Sequence, residues 1–158
     1  MTLSSSAQRI QEELIKLGYD YTVIEAEEST RTAEEAAARV GCEVGQIVKS
    51  LIFQGKSSGK AILILTSGAN RVDVNRIKAY ANEKIRRADP EFVRECTGFA
   101  IGGIPPLGHV SPIETYVDED LLRYEEIWAA AGTPKAVFKM QASELPKMTG
   151  GKVIPLSS

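Results

Sequence analysis

Two apolar runs, QIVKSLIF at residues 46–53 and AILILTSG at 61–68, are separated by the polar, glycine-containing segment QGKSSGK. Both runs are rich in branched aliphatic residues, and a short polar turn between two such runs is typical of a β-hairpin. Strands joined by a turn this short run antiparallel. The hairpin therefore argues against an all-parallel sheet.

Helix signals alternate with strand signals along the rest of the chain. Thr32 with Glu35 three residues later forms a capping box, and Asp89 followed by Pro90 is a typical helix start. The periodicity and caps predict helices in these segments: SAQRIQEELIKLG, the stretch from Thr32 to Gly41, VDVNRIKAYAN, DPEFVRECTG and ASELPKMTG. Further strands are predicted in these segments: YDYTVIEA, EKIRRA, IETYVD, the two arms of EIWAAAGTPKAVFKM, and KVIPLS.

This interleaving predicts the α/β (α+β) class with a mixed sheet. With 158 residues, 43% of them hydrophobic, the chain can bury one substantial core, and neither a linker nor a low-complexity segment divides it. We therefore expect one domain over residues 1–158. No apolar stretch reaches the roughly 18 to 20 residues of a membrane span, and the first residues do not resemble a secretion signal. The expected location is the cytoplasm, with no membrane partner.

Charge is distributed unevenly along the chain. The net charge is −2, yet the first 45 residues are acidic, whereas residues 46–98 carry an excess of lysine and arginine. This middle third either forms a local positive face for phosphates or is an ordinary solvated surface. Cys42 and Cys96 are far apart in sequence and suggest no metal or redox pair, so we expect both to be small buried residues.

Several kinds of chemistry lack their sequence signature. One histidine and two separated cysteines do not make a zinc site, so no metal is expected. No serine lies in a G-x-S-x-G elbow, which argues against a Ser-His-Asp hydrolase. The glycines of GFAIGG precede a proline-rich loop and not a helix, so they do not indicate a nucleotide cofactor. We expect no cofactor.

Three features remain as candidates for a site. Lys49 interrupts an apolar strand, where it lies either on the exposed face or in a polar cleft. The segment GFAIGGIPPLGHVSP at 98–112 contains four glycines and three prolines; it is either a surface turn or a stiff loop whose bare backbone a ligand can approach. The small residues TSG at 66–68 and GTP at 132–134 follow strands, and they form either plain turns or pocket walls.

His109 is the one histidine of the chain. Its ordinary pKa lies near working pH, which suits a general base, but a solvated loop histidine is the commoner case.

The residues singled out above resemble those of the YbaK family of free-standing aminoacyl-tRNA deacylases, a family related to the editing insertion domain of bacterial prolyl-tRNA synthetases. The resemblance rests on the lysine in IVKSLIF, the strand end in ILTSGAN, the loop TGFAIGGIPPLGH and the turn in WAAAGTPKAVFKM. These pieces occur in the family's order and cover approximately residues 7–157.

The resemblance implies a compact domain with a strongly twisted, partly barrel-like mixed sheet surrounded by helices, and no metal or organic cofactor. It implies hydrolysis of the ester that joins a wrong amino acid to tRNA. It places the site lysine at Lys49. The backbone-donating loop then falls on Gly102, Gly103, Ile104, Pro105, Pro106, Leu107 and Gly108, with His109 adjoining it, and Thr66, Ser67, Gly68, Gly132 and Thr133 are expected as pocket walls.

The mechanism that follows needs no covalent intermediate. Lys49 would hold the terminal phosphate or the carbonyl side of the substrate, loop amides would hold the ester, and water helped by the ribose 2′-hydroxyl or a substrate thiol would attack. We also expect Gly103→Val to block the ester while leaving folding largely intact.

The expected substrate is the acceptor end of mischarged tRNA, specifically tRNA for proline carrying a small wrong residue such as alanine or cysteine, with prolyl-tRNA synthetase as a further partner. The alternative is a module of the same fold that binds tRNA or a synthetase without turnover. A third reading is an accessory protein that binds another small acylated ligand or nucleotide.

Overall fold

The computed structural model describes residues 2–157. Five α-helices alternate with eight strands. The helices are α1 (Ser5–Lys16), α2 (Ala33–Val40), α3 (Val74–Ala81), α4 (Pro90–Thr97) and α5 (Leu145–Thr149). The strands are β1 (Val23–Glu25), β2 (Val48–Gly55), β3 (Ala61–Ser67), β4 (Ile85–Arg87), β5 (Glu114–Asp118), β6 (Glu126–Ala130), β7 (Ala136–Gln141) and β8 (Lys152–Ile154). Short 3₁₀ turns span Val44–Gln46, Glu119–Arg123 and Ala142–Glu144.

Helix ends lie where the sequence signals predict them. The Thr32 hydroxyl accepts a hydrogen bond from the Glu35 amide at 3.1 Å and starts α2. The Asp89 carboxylate accepts from the Phe92 amide at 2.9 Å and starts α4. Both helices end at a glycine with positive φ, Gly41 and Gly98, a conformation that costs glycine little.

The larger sheet has five strands in the order β4-β2-β3-β5-β8. The predicted hairpin is confirmed, because β2 pairs antiparallel with β3 from Val48 opposite Ser67 to Gln54 opposite Ala61. Strand β4 also pairs antiparallel with β2, whereas β5 runs parallel to both β3 and β8. The sheet is therefore mixed, as the interleaved sequence pattern predicts.

The smaller sheet is antiparallel, with three strands in the order β1-β7-β6. It meets the larger sheet at one bridge, between Ile47 and Trp128. The α/β class and the mixed strand arrangement expected from the sequence are confirmed, and the strands divide between two sheets joined at this bridge.

Alternation along β2 and β3 sends side chains to two separate cores. Val48, Ile52 and Leu63 belong to the larger core, which α1, β6 and β7 also fill. Phe53 and Ile62 face a smaller core closed by α3 and β8. Because successive strand residues point to opposite faces, Lys49 and Ser50 project to different sides of the larger sheet.

Cys42 and Cys96 are free and only half-buried, so the expectation that both are buried is wrong; each lies at or just after the end of a helix, where one side of the thiol meets solvent. Among the described helices, none combines the length and the apolar character that crossing a membrane requires.

Candidate active site

An open cleft of about 280 Å³ lies beside strand β2. Its walls come from both sheets, from the start of α2, and from the loops at 101–104 and 133–134. Much of the wall is apolar and includes Ile47, Ile104 and the half-buried Trp128. The cleft is therefore a partly apolar space, and an apolar wall strengthens polar contacts relative to bulk water.

Lys49 lines this cleft from β2. Its Nζ donates a hydrogen bond to the main-chain carbonyl of Asn70 at 2.7 Å, and the side chain is half-buried. Burial lowers the pKa of Lys49 below its ordinary value. The nearby charge of Glu34 raises that pKa, while the charges of Arg71 and Arg87 lower it further. Of the two positions expected for Lys49, the exposed face of a strand or a cleft, the structure shows the cleft.

A buried carboxylate supports the residue that holds Lys49. Asp118 is 1% exposed, and its Oδ2 accepts hydrogen bonds from the Asn70 side-chain amide at 2.9 Å, the Ser67 main-chain amide at 2.9 Å and the Thr66 hydroxyl at 3.1 Å. Oδ1 accepts from the Asp120 amide at 2.9 Å. The end of β3 and the turn that carries the Asn70 carbonyl are thus fixed by three hydrogen bonds to one side chain.

The strand end at 66–68 lies behind the lysine and not in the cleft wall. Thr66 and Ser67 are buried, and the Ser67 hydroxyl donates to the Gly45 carbonyl at 2.7 Å. A Cβ added to Gly68 would lie 2.5 Å from the Val44 carbonyl oxygen. None of the three is among the residues that line the cleft. Their contacts therefore make them supports for Asn70 and the 3₁₀ turn, in place of the expected pocket walls.

The glycine loop enters the cleft only at its first part. Gly102 and Ile104 line the cleft together with Thr133 from the facing turn. The two segments are tied because the Gly132 amide donates to the Gly103 carbonyl at 2.9 Å. The Gly103 amide donates to the Ala100 carbonyl at 3.1 Å and is already used within the loop. Within residues 2–157, the amides of Gly102 and Ile104 donate to no main-chain carbonyl.

The tie also explains why position 103 is glycine. A Cβ there would lie 2.6 Å from the Cα of Thr133, a distance that a backbone cannot absorb without moving. The expectation that Gly103→Val leaves folding largely intact is therefore wrong, because the substitution would separate the loop from the 133 turn.

The second part of the loop faces another way. Pro106, Leu107, Gly108 and His109 line a separate depression beside Leu17 and Met148, and Pro105 is buried but lines neither space. The Gly108 carbonyl accepts a hydrogen bond from the Arg9 guanidinium at 2.6 Å. The cleft therefore takes Lys49, Gly102, Ile104 and Thr133 from the expected set, and not residues 105–109.

His109 is held by the loop itself. Its Nε2 lies 2.7 Å from the Pro105 carbonyl, and burial lowers the pKa of the ring. These contacts give it a structural role in bracing the loop and bring it to no part of the cleft.

Sequence reasoning missed Asn70, Asp118 and Ser50, whereas Arg71 belongs to the basic middle third that it singled out. A carboxylate that ends an apolar strand, as in TYVD, is the one signal that would have pointed to Asp118. Among residues 2–157, no group of three or more His, Cys, Asp or Glu side chains is placed so that it could hold a metal ion.

The model of the aminoacyl-tRNA editing domain family matches residues 27–148. The chain is 33% identical over 131 residues to the uncharacterized protein YwhH of Bacillus subtilis (strain 168). This alignment covers 83% of each of the two chains. It is 25% identical over 128 residues to EbsC of Enterococcus faecalis, named a candidate Cys-tRNA(Pro)/Cys-tRNA(Cys) deacylase, over 80% of this chain and 77% of that one.

A solved structure agrees with these sequence matches. The crystal structure of a protein described as a candidate trans-editing enzyme for prolyl-tRNA synthetase superposes with a TM-score of 0.94 at 51% identity, over 99% of both chains.

Proposed function

The chain belongs to the aminoacyl-tRNA editing domain family, and from this premise we propose that it is a free-standing deacylase that hydrolyses the ester of mischarged tRNA in the cytoplasm. The observation that carries the proposal is the shared cleft of Lys49 and the amides of Gly102 and Ile104. A fixed cation and preorganised amides are the groups that stabilise the negative charge of an ester under attack.

Lys49 supplies the positive charge. The Asn70 carbonyl accepts from one of the three ammonium donors, which leaves the other donors for a substrate. The partly apolar wall strengthens their interaction with a carbonyl or phosphate oxygen. We assign Lys49 the role of catalytic residue that binds the ester or the adjoining phosphate.

Hydrolysis then proceeds without a nucleophile from the protein. Water attacks the carbonyl carbon, the bond from that carbon to the ribose oxygen breaks, and the ribose oxygen leaves with a proton. The products are the free amino acid and uncharged tRNA. The ribose 2′-hydroxyl of the substrate helps to position the water, while the loop amides hold the developing oxyanion.

Charge around the cleft fits the acceptor strand of tRNA. Two exposed cations, Arg71 and Arg87, are near enough to Lys49 to lower its pKa. Four more exposed cations lie in or next to α3 and β4: Arg76, Lys78, Lys84 and Arg86. None forms an ion pair with a carboxylate within residues 2–157. The segment between β1 and α2, which forms another wall, carries exposed Glu27 and Glu28 and places the exposed Arg31 at the cleft. We infer that phosphates approach from the β4 side, which favours the positive face over the ordinary solvated surface for the middle third of the sequence.

The substrate assignment rests on the named relatives. The open cleft of about 280 Å³ has room for a small aminoacyl group. EbsC is named for cysteine on proline and cysteine tRNAs, and the superposed structure is described in relation to prolyl-tRNA synthetase. We therefore propose tRNA(Pro) carrying alanine or cysteine as substrate, with prolyl-tRNA synthetase as a further partner.

A panel of charged tRNAs tests the proposal. Purified protein is incubated with correctly and incorrectly charged tRNA(Pro), tRNA(Ala) and tRNA(Cys), and free amino acid is measured with time. Release from Ala-tRNA(Pro) or Cys-tRNA(Pro), with Pro-tRNA(Pro) intact, supports editing. Binding of these tRNAs without any release would identify a module that binds without turnover. If the protein neither binds these tRNAs nor releases amino acid from them, it is an accessory protein that acts independently of tRNA.

A further inference from the structure

The edge of strand β2 is open where it borders the cleft. Strand β4 pairs with β2 only from Phe53 to Gly55, and one further bond joins the Ala88 amide to the Ile52 carbonyl at 3.1 Å. At the other end, β2 and β6 meet at the single bridge between Ile47 and Trp128. Between these two points no strand of the described chain pairs with this edge of β2, although β6 lies near its first residues.

The register shows which backbone groups face this opening. The Ile47 carbonyl and the Gly55 amide bond toward the β3 side, to Gly68 and Lys60, so odd-numbered residues of β2 are paired there. Even-numbered residues face the other edge, as the Ile52 carbonyl does. The amide and carbonyl of Ser50 therefore point into the gap. Continuing the β4 register would bring Pro90, which begins α4, opposite Ser50, and a proline has no N–H to offer.

The side chain of Ser50 gives a second, independent observation. Its hydroxyl is buried and has no hydrogen-bond partner within residues 2–157, and Ser50 lines the cleft. Buried polar groups are nearly always paired. A buried hydroxyl without a partner at the wall of a cleft therefore indicates a position where a ligand can bind. The unpartnered hydroxyl and the edge-facing amide and carbonyl of Ser50 thus all border the cleft, which Lys49 lines from the other face of β2.

We propose that Ser50 binds the aminoacyl group of the substrate as though it were one residue of an added β-strand. An aminoacyl ester carries an α-ammonium and a carbonyl on neighbouring carbons, the same donor and acceptor that a strand residue presents to its neighbour. The Ser50 amide donates to the ester carbonyl, while the Ser50 carbonyl and hydroxyl accept from the ammonium. The proposal rests on the deacylase function proposed above and assigns the subsite that recognises the α-amino acid.

This pairing has a consequence for selectivity. Ser50 hydrogen-bonds only to the α-ammonium and carbonyl groups that all α-amino acids share. The pairing therefore requires a free α-amino group but does not distinguish one side chain from another. Discrimination among amino acids is then left to the apolar walls of the cleft. An ester without the α-amino group loses half of the pairing and binds more weakly.

A nuclear magnetic resonance titration tests the pairing on the unmodified protein. The probe is 3′-alanylamino-3′-deoxyadenosine, in which a stable amide replaces the ester, and its match is the propionylamino compound, which lacks the α-amino group. We expect the alanyl probe to shift the Ser50 amide and slow its hydrogen exchange, while the Leu51 amide, which faces β3, stays unchanged. Shifts at Gly102 and Ile104 without one at Ser50, or equal shifts with both compounds, would overturn the pairing.

Two substitutions give a second readout. Ser50→Pro removes the amide at an edge position, where strands tolerate proline, and is expected to lower kcat/KM on mischarged tRNA by about 100-fold at a near wild-type melting temperature. Ser50→Ala keeps the amide and is expected to lose less than about 10-fold. Full activity in a folded Ser50→Pro protein would refute the pairing. If the wild type deacylates nothing but Ser50 still binds the probe, the proposed function fails and the subsite stands.

Discussion

The ammonium of Lys49 lies 2.7 Å from the main-chain carbonyl of Asn70, so a turn 21 residues further along the chain fixes the position of the charge. That turn follows β3, and its Asn70 side-chain amide is anchored to the buried carboxylate of Asp118. The catalytic cation is therefore placed by a carbonyl that β5 holds in position. Stability of this turn and activity of the cleft should change together.

Removal of the Asp118 carboxylate is expected to lower stability strongly. Asp118→Ala leaves the donors of Thr66, Ser67, Asn70 and Asp120 without their acceptor, a loss on the order of 3 kcal/mol in the free energy of unfolding. The matched control is Asp120→Ala, which removes one bond from Asn70 and an exposed ion pair and is expected to lose about 1 kcal/mol or less. Denaturant unfolding measures both; equal losses would contradict the anchoring role.

The two arginines beside Lys49 are expected to contribute to tRNA binding and not to chemistry. The double variant Arg71→Gln/Arg87→Gln should raise KM for mischarged tRNA, keep kcat near wild type, and make the dependence of log kcat/KM on log salt shallower by about 1 to 2. The control is Arg94→Gln/Lys147→Gln, two exposed cations outside the charges that affect Lys49. If the control variant makes the salt dependence shallower by as much as the Arg71→Gln/Arg87→Gln variant does, the tRNA phosphates do not bind specifically at Arg71 and Arg87.

The contact between Gly103 and the 133 turn predicts a loss of activity from the smallest side chain. Gly103→Ala places a Cβ against the Thr133 backbone, and overpacking of this kind costs about 1 to 3 kcal/mol. Because Gly102, Ile104 and Thr133 all line the cleft, deacylation should fall as well. Gly41→Ala meets no atom within 4 Å but has φ of +75°, so it should lose comparable stability while keeping activity. If Gly103→Ala keeps wild-type deacylation, the loop is not part of the active site.

His109 is expected to make stability depend on pH below neutrality. Burial holds the pKa of the folded ring below 6.5, so the unfolded chain takes up the proton first and the free energy of unfolding falls as pH drops below about 6.5. The folded protein is fully stabilised above that pH. The wild type should therefore lose more stability than His109→Gln between pH 7.5 and 5.5, by at most about 1.4 kcal/mol per pH unit. Parallel curves for the two proteins would show that the ring titrates freely.

Local signals predicted the secondary structure well because they act over a few residues. The capping box at Thr32, the proline after Asp89 and the hairpin at 46–68 each set their element without distant contacts. The division of the strands into two sheets has no such signal, since it depends on where β6 meets Ile47. That contact joins residues 81 positions apart.

The site was predictable in part for the same reason. Lys49 stands out as a charge within an apolar strand, and the glycine loop stands out by composition. The sequence could not show that Thr66 and Ser67 turn toward Asp118, or that His109 turns back to Pro105, because these contacts arise only when the chain has folded. The open edge at Ser50 is an absence of pairing, which no residue pattern encodes.

Single-turnover deacylation by Lys49→Ala tests the central claim most directly. The variant and the wild type, each in excess over Ala-tRNA(Pro) or Cys-tRNA(Pro), are compared for the rate of amino acid release, with circular dichroism to confirm that the variant is folded. We predict that loss of the Lys49 ammonium slows release by about 100- to 1,000-fold, the effect of removing one preorganised charge or donor. An unchanged rate in a folded Lys49→Ala protein would contradict the assignment of this cleft as the active site.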